Sequence, residues 1–299
     1  MKILLFGKNG QVGWELQRSL APLGELIALD EDSKDLCGDF TDLGGLARTV
    51  RAVAPDVIVN AAAHTAVDKA ESEQQLVRNI NALAPGVLAQ EAGNLNALLI
   101  HYSTDYVFDG SGEKPWLETD PTAPLNVYGA TKLESERLIQ KSACRHLVFR
   151  TSWVYGARGS NFAKTMLRLA GERDSLNVIN DQVGAPTGAD LLADVTAHAI
   201  RTALQRPELT GLYHLVAAGE TSWHGYANFV IDFARRAGIA IKVAPEAINA
   251  VPTSAFLTPA KRPHNSRMDT TKLRSTFELN LPSWETGVER MLTEVLEKS

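Results

Sequence analysis

The first half of the chain alternates short apolar runs with longer segments of helical spacing. Ile3–Phe6, Leu26–Leu29, Asp56–Ala63, Ala97–Val107 and Leu147–Thr151 read as strands, and unbroken apolar runs such as VIV and LLI fit strands covered on both faces. Between them Gln11–Leu23, Leu43–Val53, Gln74–Ala92 and Tyr128–Lys141 read as helices. Val12, Leu16 and Leu20 mark one apolar face, and Thr41 or Asp42 serves as N-cap of the second helix. This alternation predicts a doubly wound parallel α/β sheet with right-handed crossovers. The second half is less regular. Phe162–Ala170, Asp190–Leu204, Trp223–Ala237 and Trp284–Leu296 read as helices, Leu176–Ile179 and Leu212–Val216 as short strands, and 245–268, rich in Pro, Ser, Thr and Ala, as loop. The predicted division is a domain over 1–155, joined by parts of 188–220, and a smaller mixed α/β domain over 156–299.

Composition changes this picture little. The 299 residues are 44% hydrophobic and 22% charged, as in soluble globular proteins. A net charge of −5 argues against general nucleic-acid binding while leaving room for an anionic small ligand. The apolar run at the start is too short for a signal segment or a membrane span, and Cys37 and Cys144 form no disulfide framework. The expectation is a cytoplasmic protein without a membrane or nucleic-acid partner.

The loop Gly7-Lys8-Asn9-Gly10-Gln11-Val12-Gly13 follows the first strand and opens the first helix. In that context a glycine turn lets a dinucleotide pyrophosphate reach backbone N–H groups at a helix N-terminus, which makes the sheet Rossmann-type. Gly7, Gly10, Gln11, Val12 and Gly13 are the cofactor candidates there. Asp30 ends the second strand, 17 residues past Gly13, where a carboxylate accepts from ribose hydroxyls. It would repel a 2′-phosphate unless a base such as Lys34 stood near, so NADPH and NADH both stay open. Asp39 and Phe40 are candidate neighbours of the adenine.

Tyr128 and Lys132 share a YxxxK spacing at a helix start, so phenol and ammonium project to one side. A neighbouring ammonium favours phenolate and lowers the tyrosine pKa, which suits proton exchange with a carbonyl or alcohol oxygen. Tyr102-Ser103-Thr104-Asp105 closes a strand at its carboxyl end, where open α/β sheets gather ligands. Alternation turns Ser103 and Thr104 opposite ways, so one of the two hydroxyls faces the site.

Together GxxGxxG at 7–13, NAAAHT at 60–65, YSTDYVFDG at 102–110 and YGATK at 128–132 resemble the extended short-chain dehydrogenase/reductase family. TAVDKAE (65–71), DQVGAPT (181–187) and RPHNSRMD (262–269) resemble its dTDP-4-dehydrorhamnose reductase branch more closely still. The resemblance covers essentially the whole chain. It implies Thr104, Tyr128 and Lys132 as catalytic residues and a cofactor lined by Ala62, Ala63, His64, Thr65 and Tyr102. It also implies Asn81 near the active site, and a dTDP-sugar met by Thr104, Asp105, Val67, Trp153 and Arg262. Lys261 and Arg267 are further cationic candidates for the pyrophosphate. Magnesium and a homodimer belong to the same implied set, but Glu285 and Glu289, one helical turn apart, read as a solvated face and no metal ligands are assigned. The implied reaction is NAD(P)H-dependent reduction of a 4-keto-6-deoxy sugar nucleotide. The alternatives are another extended-family nucleotide-sugar reductase or epimerase, and a non-catalytic regulatory subunit similar to the methionine adenosyltransferase beta subunit.

Overall fold

The computed structural model describes residues 1–297. Five strands, β1 (Lys2–Phe6), β2 (Glu25–Leu29), β3 (Val57–Asn60), β4 (Leu98–Thr104) and β5 (His146–Thr151), form a parallel sheet with the strand Gly211–His214 on its edge. Starting from that edge strand, the order is β5, β4, β3, β1, β2. The chain leaves β1 outward to β2 and returns to the other side as β3. The switch point, and with it the ligand crevice, therefore lies at the carboxyl ends of β1 and β3.

Eleven helices are α1 (Gln11–Leu20), α2 (Leu43–Val53), α3 (Val67–Ala70), α4 (Gln74–Arg78), α5 (Ala84–Leu95), α6 (Val127–Lys141), α7 (Phe162–Glu172), α8 (Ala189–Gln205), α9 (Trp223–Arg236), α10 (Thr271–Phe277) and α11 (Trp284–Leu296), among the described residues. Alternation in β1 sends Ile3 and Leu5 to one face, against Leu16 and Leu20 of α1 and Leu192 of α8. Leu4 and Phe6 go to the other, against Leu46 of α2 and Leu88 of α5. A third core joins α7, α9 and α11 through Met166, Tyr226 and Val288. None of the described helices is long and apolar enough to cross a membrane.

The structure refines the sequence expectation in several places. Of the two expected caps of α2 it is Asp42 that serves, its side chain accepting from Gly45 N–H. The expected helix 74–92 is interrupted by a π-helical turn, Asn79–Leu83. Residues 245–268, expected as loop, contain the strand Ile248–Val251, paired in parallel with Leu176–Ile179. Helices α3 and α10 were not anticipated. Both are too short for a visible 3.6-residue periodicity, and tertiary packing decides them.

Candidate active site

The glycine loop sits at the switch point. Gly7 has φ +83°, a region L side chains rarely adopt, and a Cβ on Gly13 would lie 1.9 Å from the Gly7 carbonyl oxygen, so both allow strand and helix to close up. Gly10 differs. A Cβ there meets nothing closer than 3.4 Å, because the residue borders a cleft of about 350 Å³ that is also lined by Asp30, Asp39, Phe40, Ala62 and His64. No side chain caps α1, which leaves its first N–H groups for an anion. The residues present thus fit a dinucleotide.

The individual candidates separate within this cleft. Asp30 is met by Lys8 at 3.8 Å and by the Asn9 amide. The base beside it is therefore Lys8, while Lys34 is exposed to solvent. Asp39 turns its Oδ1 to the Thr41 N–H and hydroxyl, at 2.8 and 2.7 Å, and Phe40 is buried edge-on against Phe6. Ala63 lines the cleft with Ala62 and His64, whereas Thr65 is exposed and outside the lining. Gln11 and Val12 do not line the cleft. Gln11 Oε1 accepts from Asn161 at 3.1 Å, and Val12 packs into the core. Tyr102, implied beside the nicotinamide, is instead a core residue: its ring packs near Phe149 and its hydroxyl lies 2.6 Å from Thr196 on α8. Asn81, in the π-helical turn, receives His64 N–H at 2.8 Å and donates to His64 C=O at 3.0 Å, acting as a buried clamp on the loop after β3.

At the carboxyl end of β4, Thr104 Oγ1 accepts from Tyr106 N–H at 3.1 Å and donates to Asp105 Oδ1 at 3.0 Å. Helix α6 starts at an Asn126 cap, whose Oδ1 accepts from Gly129 N–H at 2.8 Å, and this start aims Tyr128 at the same spot. Thr104 hydrogen-bonds the Tyr128 phenol. Burial pushes that phenol up to about 12, the Asp105 charge adds to the effect, and the Thr104 bond opposes it. The YxxxK spacing leads one to expect a lowered tyrosine pKa; here burial and the Asp105 charge raise it instead. Lys132 is buried, with Nζ 3.2 Å from His101 Nε2, and burial lowers it to about 8 while Glu136 opposes. Burial raises Asp105 to about 6, the Ser266 and Thr104 hydroxyls bonded to its carboxyl oppose the rise, and its Oδ2 is without a hydrogen-bond partner among the described residues.

Beyond Tyr106 an apolar cavity of about 410 Å³ opens, lined by Phe162, Met166, Trp223, Phe256 and Arg262 among others. Trp153 stacks on Trp223 at 3.7 Å and holds φ +49°. Val67 is half-buried at the start of α3. Arg262 Nη2 donates to Asp68 at 2.7 Å, and Arg267 Nε donates to Glu220 at 2.7 Å, away from this cavity; Lys261 is exposed. Among the described residues no group of three or more His, Cys, Asp or Glu side chains comes together.

Reading the sequence missed Asn60, His101, Ser135, Glu136 and Arg150, a buried polar belt behind Lys132. The available signal was polar residues inside otherwise apolar strands, at 60, 101 and 150.

A family model described as the RmlD substrate binding domain matches residues 1–297. The dTDP-4-dehydrorhamnose reductase of Salmonella typhimurium is 63% identical over 295 residues, 99% of this chain and 98% of that protein. The crystal structure of a dTDP-4-dehydrorhamnose reductase from Clostridium acetobutylicum superposes with a TM-score of 0.87 at 35% identity, covering 99% of this chain and 100% of that one. The enzyme of the same name from Bacillus anthracis, solved in complex with NADP, gives 0.86 at 34% identity, covering 98% and 99%. Sequence and fold agree along the whole described length, and the chain belongs to the RmlD family of dTDP-4-dehydrorhamnose reductases.

Proposed function

We infer that the protein is an NAD(P)H-dependent oxidoreductase that reduces the C4 ketone of dTDP-4-dehydro-L-rhamnose, giving dTDP-L-rhamnose, the last step of dTDP-rhamnose synthesis. The observation that carries this reading is the convergence of Thr104, Tyr128 and Lys132 at the end of β4, beside a glycine-lined cleft at the switch point.

Reduced nicotinamide, when bound, supplies the hydride. Gly10 and the start of α1 receive the pyrophosphate, and Asp30 with Lys8 faces the adenosine ribose. Thr104 orients the C4 carbonyl oxygen. Tyr128, neutral at physiological pH, gives its proton to the alkoxide as it forms. Lys132, as the ammonium, stabilises the phenolate left behind and donates to the nicotinamide ribose. Asp105, ionised above about 6, offers its unpartnered Oδ2 to a sugar hydroxyl. Val67 and Trp153 wall the sugar, and the apolar cavity with Arg262 at its edge suits the thymidine diphosphate. Most of the barrier reduction comes from this orientation and charge placement.

In this reading residues 1–155, with parts of 188–220, hold the cofactor, and most of 156–299 holds the sugar nucleotide. A cytoplasmic homodimer goes with it. The test follows reduced-nicotinamide absorbance with freshly generated dTDP-4-dehydro-L-rhamnose, comparing NADPH with NADH. Rapid loss with dTDP-rhamnose as product is the expected result. No loss, while NADPH still binds, would turn the reading to another keto-sugar nucleotide or to a regulatory subunit without chemistry.

A further inference from the structure

Behind the catalytic face lies a buried ion pair that the reaction itself does not use. Arg150 of β5 donates Nε–H to Glu136 Oε1 at 2.9 Å and Nη2–H to Oε2 at 2.7 Å, in a two-pronged bond. Ser103 donates its hydroxyl to the same Oε1 at 2.5 Å. All three side chains are buried, and the guanidinium lies 5.0 Å over the Phe108 ring. Buried pairs of this kind add little net stability, because desolvation consumes most of the attraction. Their position is the informative part. Ser103 directly precedes Thr104 on β4 and pairs in register with Arg150. Tyr128, Lys132 and Glu136 follow at i, i+4 and i+8 on one face of α6. One carboxylate therefore joins the strand end bearing the hydroxyl residue to the helix face bearing the phenol and the ammonium.

We propose that Glu136 is a positioning residue, which through Ser103 and Arg150 fixes Thr104 against Tyr128 and keeps a negative charge one turn behind the Lys132 ammonium. The inference rests on the reductase reading above. The charged and titratable groups around this face are His101 on β4, Asp105 and Tyr106 after it, Arg150 on β5, His214 on the edge strand, and Tyr128 and Glu136 on α6. His101 is held neutral by burial and by the Lys132 charge, and Glu136 is the neighbour that favours the ammonium. With Gln at 136, Arg150 would stand uncompensated and Lys132 would lose its proton at lower pH.

The experiment compares kcat, KM and the alkaline limb of the pH profile for the wild type, Glu136→Gln, Ser103→Ala and the charge-balanced pair Glu136→Gln/Arg150→Gln, with NADPH affinity as the check on folding. Glu136→Gln should move the alkaline limb down by about one pH unit, with KM little changed. The charge-balanced pair should return the limb toward the wild-type position with a reduced kcat. Ser103→Ala, which keeps the charge and loses one bond, should lower kcat about tenfold and leave the limb in place. A folded Glu136→Gln with wild-type kcat and limb overturns the proposal. If that variant does not fold, wild-type kcat in Ser103→Ala overturns it. Tyr128→Phe separates the two levels. Full turnover by that variant defeats the reductase mechanism, and this inference with it. Its inactivity beside unaltered Glu136 and Ser103 variants defeats the inference alone.

Discussion

Lys132 Nζ and His101 Nε2 stand 3.2 Å apart in a buried pocket, and both are hydrogen-bond donors. Asn60 Oδ1 takes Ala62 N–H at 3.0 Å, so its amide nitrogen faces His101 Nδ1 at 3.0 Å. That leaves the hydrogen on His101 Nε2, which donates to Ser135 Oγ at 3.0 Å, while the Ser135 hydroxyl donates to the Lys132 carbonyl at 2.6 Å. The ammonium is thus buried without an acceptor at this contact.

Lys132→Met should therefore be inactive and yet more stable than the wild type. The folded-state pKa is lowered from 10.5 to about 8, so the folded form sheds a proton that the unfolded chain keeps. The penalty is fully present below about 8 and is relieved as pH rises from there to 10.5. Denaturant melts at pH 7 should show a gain of about 2–3 kcal/mol for the variant, narrowing as pH rises from about 8 and closing near 10.5. A pH-independent difference would remove the buried ammonium from the account.

Turnover itself should follow the same group in the opposite sense. Since the ammonium is the working form, kcat falls as pH rises through about 8, while Tyr128, at about 12, remains an acid throughout that window. Tyr128→Phe should lose about 10²–10⁴ in kcat and keep NADPH affinity. A kcat that keeps rising to pH 10 would show that the Lys132 ammonium is not the working form.

Asp105→Asn tests the sugar-facing carboxyl. Its folded pKa is raised from 3.8 to about 6, so its contribution to stability is largest below 3.8 and lost as pH rises through about 6. The variant should be about 2–3 kcal/mol more stable at pH 7, and its KM for the sugar nucleotide should rise about tenfold as a charged acceptor is lost. Equal stability at pH 7 would mean that the carboxylate is solvated in solution.

Two glycines of the loop should respond differently. Gly13→Ala drives a Cβ to 1.9 Å from the Gly7 carbonyl oxygen, and a lower Tm is expected because strand and helix must part. Gly10→Ala has room, with 3.4 Å to its nearest neighbour, so the fold should hold while the methyl group fills the anion site and NADPH binding weakens at least about tenfold. Calorimetric melting and NADPH titration separate the cases, and tight NADPH binding by Gly10→Ala would move the pyrophosphate off this loop.

Much of the fold is legible along the chain. Leu43–Val53, Trp284–Leu296 and Leu176–Ile179 match their elements residue for residue. In each, apolar spacing and end signals are local properties. The π-helical turn at Asn79–Leu83 and the strand Ile248–Val251 carry no such mark. The turn serves a clamp made by Asn81, and the strand exists only where Leu176–Ile179 offers an edge.

At the site, the residue types and spacings by themselves pointed to a glycine-lined crevice, a Tyr128 and Lys132 pair on one helix face, and a hydroxyl from Ser103 or Thr104 at a strand end, because strand ends and i, i+4 positions follow from backbone geometry, while the family resemblance chose Thr104. Tertiary structure alone decided that Lys8, and not Lys34, meets Asp30, that Tyr102 belongs to the core, and that burial raises the Tyr128 pKa. The reason is common to all three. Partners distant in sequence and the exclusion of water set charge states and contacts, and neither is written in local order.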